Sequence, residues 1–445
     1  MSDLLAARLQ MALSLGFHIV FAIVGMAMPL LMAIAEWLHL RTKDPLYLEL
    51  AKRWARGTAI LFAVGAVSGT VLSFELGLLW PTFMEHAGPV VGMPFSLEGF
   101  AFFLEAIFLG VYLYGWDKLS PRLHLLSGVL VAVSGVLSGV FVVAVNAWMN
   151  TPSGVTFEDG RIAHIDLVRA FFSPAFPSQA VHMVLAAYAS VAIAVLGIHS
   201  WGLLRGESRF HLAAAKIAFV VLAATMPLQL LTGDLSAKHV AQHQPIKLAA
   251  MEGLFETKSP APLAIGGFPD ETKGELAYAI EIPYGLSILA FADPKAEVRG
   301  LHAFPRDEWP PVAPTHMAFQ VMVFAGTAML GVVALGAWLW LRRGGFWKSR
   351  RFLRLAFFAT PLGVIAVEAG WTVTEVGRQP WVIHSFLRTR DAVTPVTGLT
   401  LHLAAFTALY ILLAGVVITL LRAHVFAAPV DAAPNAKAAP GATHG

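Results

Sequence analysis

The chain has no cysteine among its 445 residues. That absence excludes disulfides, thiolate zinc sites and iron–sulfur clusters, so any metal or cofactor must hang on His, Met, Asp or Glu. Charge is scarce too. Asp, Glu, Lys and Arg make up 13% of the chain, about half the share of a soluble domain. Hydrophobic residues reach 57% and mean hydropathy is +0.68, which excludes an ordinary soluble enzyme. The formal charge of +3 is too small for a nucleic-acid surface. No basic n-region or small-residue cleavage site accompanies the first apolar run, so no cleaved signal peptide is expected. The stretch "PTFMEHAGPVVGMPF", residues 81–95, holds no Lys or Arg, and that gap bears on orientation.

What the sequence does have is a series of apolar runs near twenty residues long, the length that crosses a hydrocarbon layer. They fall at roughly 14–37, 56–80, 96–115, 124–148, 179–202, 212–233, 315–341, 353–375 and 398–423. The expected fold is an all-α integral membrane protein with about nine transmembrane helices. Basic residues gather after span one (Arg41, Lys43, Lys52, Arg53, Arg56) and after span seven (Arg342, Arg343, Lys348, Arg350, Arg351, Arg354). Lys118, Arg122, Arg205 and Arg209 mark the loops after spans three and five. The positive-inside rule then puts these loops in the cytoplasm, the N-terminus outside and the C-terminus inside. The expected organisation is membrane helices one to six over 1–233, one long outer loop over 234–314, helices seven to nine over 315–425, and a disordered cytoplasmic tail over 426–445.

Several ionisable or soft side chains interrupt these runs. His18 lies about a turn inside span one and His182 near the start of span five. Glu98 opens span three, and Glu105 follows close to two helical turns later on the same face. Met322 sits in the first third of span seven; Glu368, Trp371 and Glu375 share a face at the end of span eight. With the orientation above, His18, Glu98, His182, Met322 and Glu375 fall in one outer layer on five helices. These are the residue types that ligate haem iron in a chain without cysteine. Each has a plainer reading taken alone. A membrane histidine can be an interhelical donor, Met a gap filler, Glu98 a helix cap, and Trp371 an interface aromatic. Arg378 can simply pair with Glu375. Glu105 is too deep to cap and favours a proton-path role. His182 and His199 on one span would suit a two-haem bis-histidine bundle, but His18 has no matching companion in its span.

The stretches "EGFAFFLE" (Glu98–Glu105), "KLAAMEGLFET" (Lys247–Thr257), and "EAGW" followed by "GRQPW" (Gly377–Trp381) together resemble subunit I of the cytochrome bd family of quinol oxidases, over all but the tail. The resemblance implies a quinol:oxygen oxidoreductase of the bacterial cytoplasmic (inner) membrane. It implies His182 and Met322 as axial ligands of a low-spin haem b, and His18 and Glu375 as ligands of two high-spin haems, one b and one d. It further implies Glu98 and Glu105 on a proton route from the cytoplasm, Trp371 and Arg378 around the haems, and Lys247 and Glu252 at the quinol. The implied partners are a second large membrane subunit and a very small single-helix one. Gln320 stands where well-studied members carry Arg, and the outer loop is short. Both features resemble the cyanide-insensitive branch, in which a further haem b can replace haem d. The competing class is a proton-coupled transporter, which explains the carboxylates but not the histidines and Met322 at one depth.

Overall fold

The structure is a computed structural model that describes residues 1–158 and 161–426. The expected tail from 427 onward lies outside the described residues. The first four helices are α1 (Asp3–Thr42), α2 (Pro45–Leu79), α3 (Pro81–Tyr114) and α4 (Pro121–Asn150). A small hairpin of β1 (Val155–Glu158) and β2 (Arg161–Ile165) and a short α5 (Leu167–Phe171) lead to α6 (Phe176–Arg205) and α7 (Arg209–His243). The long connection holds α8 (Pro245–Glu252), strands β3 (Leu263–Ile265), β4 (Phe268–Asp270), β5 (Glu275–Ala277) and β6 (Ile280–Ile282), and α9 (Gly285–Phe291). Then come α10 (Val312–Arg343), α11 (Arg350–Phe358), α12 (Leu362–Val376), the hairpin of β7 (Trp381–Ile383) and β8 (Leu387–Arg388), α13 (Thr389–Ala392) and α14 (Leu399–Leu421). Among the described residues nine helical segments are long and apolar enough to span a membrane, α11 and α12 together making one.

Local chemistry sets the helix starts. Ser2, Asp44 and Ser208 cap α1, α2 and α7 with side-chain oxygens. Proline opens α2, α3, α4 and α8, where its missing N–H is no loss. Pro361 interrupts the eighth span, which the sequence pattern reads as continuous, and splits it into α11 and α12.

Residues 81–95 correct the expected loop between spans two and three, because they are the first turns of α3 despite Pro89 and Pro94. Burial overrides the proline penalty here. Phe83, Ala87, Val90 and Val91 pack with Ala6, Ala7, Trp148 and Ile383 in one apolar cluster. The long connection is likewise shorter than expected, since α7 continues to His243.

The helices alternate, so the basic residues noted above collect at one end of the bundle, and α8, the small strands and α9 sit at the other, called here the loop face. The main core joins α1, α6 and α7 through Leu31, Met32, Ile193, Leu196, Leu222 and Met226, all fully buried. In α1 56% of the most apolar window is buried, in α14 only 11%. Thus α1 is central, and α14 leaves most of its surface for lipid or another chain.

Candidate functional site

A chamber of about 1980 Å³ opens within the loop-face half of the bundle. It is about twice the upper end of ordinary small-molecule pockets. His18, Glu98, Glu105, His182, Lys247, Glu252, Met322, Trp371, Glu375 and Arg378 all line it. The sequence picked these residues from six helices and the turn that follows α12.

The two histidines are held alike. His18 Nδ1 lies 3.0 Å from Ser68 Oγ, and that hydroxyl donates to the Gly65 carbonyl. His182 Nδ1 lies 3.2 Å from Thr232 Oγ1, which donates to the Leu228 and Gln229 carbonyls. A hydroxyl whose proton is committed can only accept, so each imidazole must donate from Nδ1–H. Nε2 therefore carries the lone pair in both rings, and the neighbouring helix fixes the tautomer, as it does in metal sites. The Gln229 side-chain amide donates to His182 Nε2 at 3.1 Å, the polarity that assignment requires. A glycine of the neighbouring helix faces each ring, and close approach needs it at the first. A Cβ on Gly69 would stand 2.9 Å from His18 Cε1, and one on Gly233 would stand 3.4 Å from His182 Cε1.

Met322 Sδ packs over Gly370 of α12, where a Cβ would come within 3.1 Å. Trp371, the next residue, packs against the main core and also borders the chamber. Glu375 is gripped on both oxygens: Asn146 Nδ2 donates to one, and Arg378 Nη2 donates to the other at 2.5 Å. Arg378 is 4% exposed, yet its Nε and Nη1 have no partner among the described residues. Glu98 accepts from Ser138 of α4 at 3.3 Å. Glu105, 5% exposed, lies against Gly25 and Gly135. These two carboxylates therefore face α4 together.

At the loop face, α8 buries Lys247 and Glu252. Lys247 Nζ donates to Asn150 Oδ1 at 3.1 Å and to the Thr374 carbonyl at 3.2 Å. One ammonium hydrogen remains for a ligand. Burial pushes the Lys247 amine down to about 7 and the Glu252 carboxyl up to about 8. No hydrogen bond joins them, and Glu252 Oε2 has no partner among the described residues. Gln320, two residues before Met322, ties α10 to the loop: its Oε1 accepts from the Gly266 N–H at 3.0 Å, and its Nε2 donates to the Ala264 carbonyl at 3.3 Å.

Two candidates from the sequence stand elsewhere. Glu368, on the same face of α12 as Trp371 and Glu375, turns toward Gly16 of α1 and is not among the residues that line the chamber. His199 meets His211, Nδ1 to Nδ1 at 2.9 Å, and neither lines the chamber. Sequence reasoning missed Ser68, Thr232, Gln229 and Asn146. The Asn pair at 146 and 150, one helical turn apart in an apolar run, was the available signal.

The residues fit haem. Two imidazole lone pairs and a thioether border one chamber, and the unpaired guanidinium nitrogens of Arg378 suit an anionic substituent.

A bundle of this kind, with nitrogen, sulfur and carboxylate donors drawn from separate helices into one cavity, defines a multi-pass helical membrane protein built to enclose prosthetic groups. The chain belongs to the cytochrome bd terminal oxidase subunit I family, whose model matches residues 6–429. It is therefore a multi-pass protein of the bacterial cytoplasmic (inner) membrane. It is 38% identical over 440 residues to a putative cytochrome bd menaquinol oxidase subunit I of Bacillus subtilis (strain 168), covering 97% of this chain and 98% of that one. It is 31% identical over 464 residues to the cytochrome bd-II ubiquinol oxidase subunit 1 of Escherichia coli (strain K12), covering 88% and 90%. Among solved structures, the bd oxidase from Geobacillus thermodenitrificans superposes with a TM-score of 0.88 at 40% identity, covering 95% of this chain and 99% of that one.

Proposed function

We propose that the chain is the haem-bearing subunit of a terminal quinol oxidase that oxidises quinol at the outer face and reduces dioxygen to water with protons taken from the cytoplasm. Family membership supports the reaction class. The loop face is the outer side, in line with the basic residues at the opposite end. His182 and Met322 would hold a low-spin haem b; His18 and Glu375 would hold two high-spin haems, one b and the other d or a further b. Bound there, haem iron supplies one-electron transfer and, where a coordination position is open, a place for dioxygen.

The chain's own residues do the rest. The free hydrogen of Lys247 binds a quinone oxygen, and Glu252 exchanges a proton with the head group. Exposed Leu230, Ile265 and Leu289 border the chamber and give an apolar way in from the bilayer. Glu105 and Glu98 relay protons along α4 from the basic end, with Ser138 orienting Glu98. Asn146 and Arg378 hold Glu375 and balance its charge. Protons leave outside and are consumed from inside, so charge separates without a pump. A second large membrane subunit, and a very small single-helix one, would cover lipid-facing helices such as α14.

The observation that carries this reading is the matched pair of imidazoles, each with Nδ1–H tied to a hydroxyl and its lone pair on Nε2, the Gln229 amide having to give way to iron at His182. The test is a reduced-minus-oxidised visible spectrum of the purified two-subunit complex, followed by pyridine haemochrome analysis. Haem bands with quinol-dependent oxygen uptake are expected; folded protein with no haem bands sinks the proposal.

A further inference from the structure

The chamber wall carries a histidine that the proposal above leaves idle. His239, near the end of α7, lines the chamber close to Lys247. Its Nε2 is enclosed and has no partner among the described residues. The residue as a whole is only half-buried. His243, one turn on, is exposed and stacks on it, ring centroids 4.1 Å apart and planes 15° from parallel. The side chain thus borders the cavity next to an exposed imidazole at the loop face.

Quinol oxidation releases two electrons and two protons, and the groups already named are short of acceptors. Glu252 takes at most one of the two protons. Lys247 has committed two of its hydrogen bonds to Asn150 and Thr374. In the tautomer protonated on Nδ1, His239 offers a lone pair at Nε2, and nothing among the described residues uses it.

We propose that His239 is a proton-release site for the quinol, accepting a hydroxyl proton of the hydroquinone head group at Nε2 and delivering a proton outward beside His243. The inference rests on the quinol-oxidase reading. One hydroxyl O–H bond of the head group breaks as the N–H bond forms on Nε2, and Nδ1 gives its proton to water; the second hydroxyl proton passes to the Glu252 carboxylate, and the two electrons leave toward dioxygen, the terminal oxidant of that activity. The product is the quinone. The charged groups facing His239 are Lys247 from α8 and His243 from its own helix; Asp234 and Lys238, also on α7, pair with each other at 2.6 Å.

The test uses the full two-subunit complex, a short-chain quinol as substrate, and oxygen uptake as readout. His239→Ala and His239→Gln should each lower kcat about 100-fold, the usual loss of a positioned base, with KM within twofold and the visible spectrum unchanged. Imidazole added to His239→Ala should restore turnover, with a pH profile following the free base. A kcat within twofold of wild type in either variant overturns the proposal. So does a defect confined to KM, or one that imidazole leaves untouched in spectrally intact protein. If the wild type itself lacks haem or quinol oxidation, the parent reading fails instead.

Discussion

The α1–α2 hairpin and the α6–α7 hairpin position an imidazole by the same means and then diverge. In the first, His18 meets Ser68 and Gly69; in the second, His182 meets Thr232 and Gly233. The hydroxyl stands 50 residues beyond the ring in both. Around His182, however, Gln229 donates to Nε2, and α10 brings Met322 to the same chamber. No hydrogen bond reaches His18 Nε2 among the described residues. One orienting device thus serves two ends. Paired with a soft second ligand it suits a closed, electron-carrying iron; without one it suits an open iron.

The largest effect should come from removing the rings. His18→Ala and His182→Ala should each abolish at least ~99% of turnover, with each variant losing a different haem, as expected for lost ligands. Haemochrome quantitation with low-temperature spectra checks this. If both variants lose the same spectral component, the two hairpins are not separate sites. Met322→Leu should turn a low-spin signal high-spin and leave the component tied to His18 unchanged.

Next come the hydroxyls. Ser68→Ala and Thr232→Ala should each weaken haem retention about 10–100-fold, while Thr232→Ser keeps the acceptor and should stay near wild type. Haem content after dilution and gel filtration reads this out. Equal retention in all three would mean that the hydroxyls do not orient the rings.

The glycines sharpen the contrast. Gly69→Ala drives a Cβ to 2.9 Å from His18, an overpacking that costs roughly 1–3 kcal/mol and should shift the visible spectrum. Gly233→Ala meets His182 at 3.4 Å, an ordinary contact, and should leave the spectrum alone. A stronger effect at Gly233 than at Gly69 would reverse the order of crowding.

The smallest expected effect lies outside the bundle. Burial holds the Glu252 carboxyl near 8 against 4.5 in the unfolded chain. The folded state thus binds that proton more tightly, and stability falls as pH rises between those values. Glu252→Gln lacks this penalty, so its Tm advantage over wild type should grow by a few degrees between pH 5 and pH 8.5. Lys247 acts in the opposite sense but is common to both proteins. A Tm difference independent of pH would show that Glu252 is not desolvated.

Much of this was legible before the fold. The apolar runs gave the helices because a membrane span has to be long and greasy. His18 and His182 stood out because ionisable residues are costly inside a bilayer, and Met322 because it falls at their depth. The helical start of α3 was not legible: Pro89 and Pro94 read as loop, and only packing against Trp148 and Ile383 reverses that. Ser68 and Thr232 were invisible for a different reason. A hydroxyl in an apolar helix commonly bonds its own backbone, and only the neighbouring ring shows that its free lone pair is used. Helical spacing gave Glu368 the face it shares with Trp371 and Glu375, but not that its carboxylate would meet Gly16 of α1.

The tether at the top of α10 has a mechanical corollary. Gln320 clasps Ala264 and Gly266, and His316, one turn earlier, has its ring nitrogens 2.8 Å from the Met251 carbonyl and 3.2 Å from the Gly266 carbonyl. Backbone within α8 and in the strand that follows it is thereby stapled to the rod that bears Met322. Such a cap cannot hinge upward like a trapdoor without breaking those bonds or dragging the rod along, so a hydrophobic tail that slid in sideways from the bilayer would leave the roof shut.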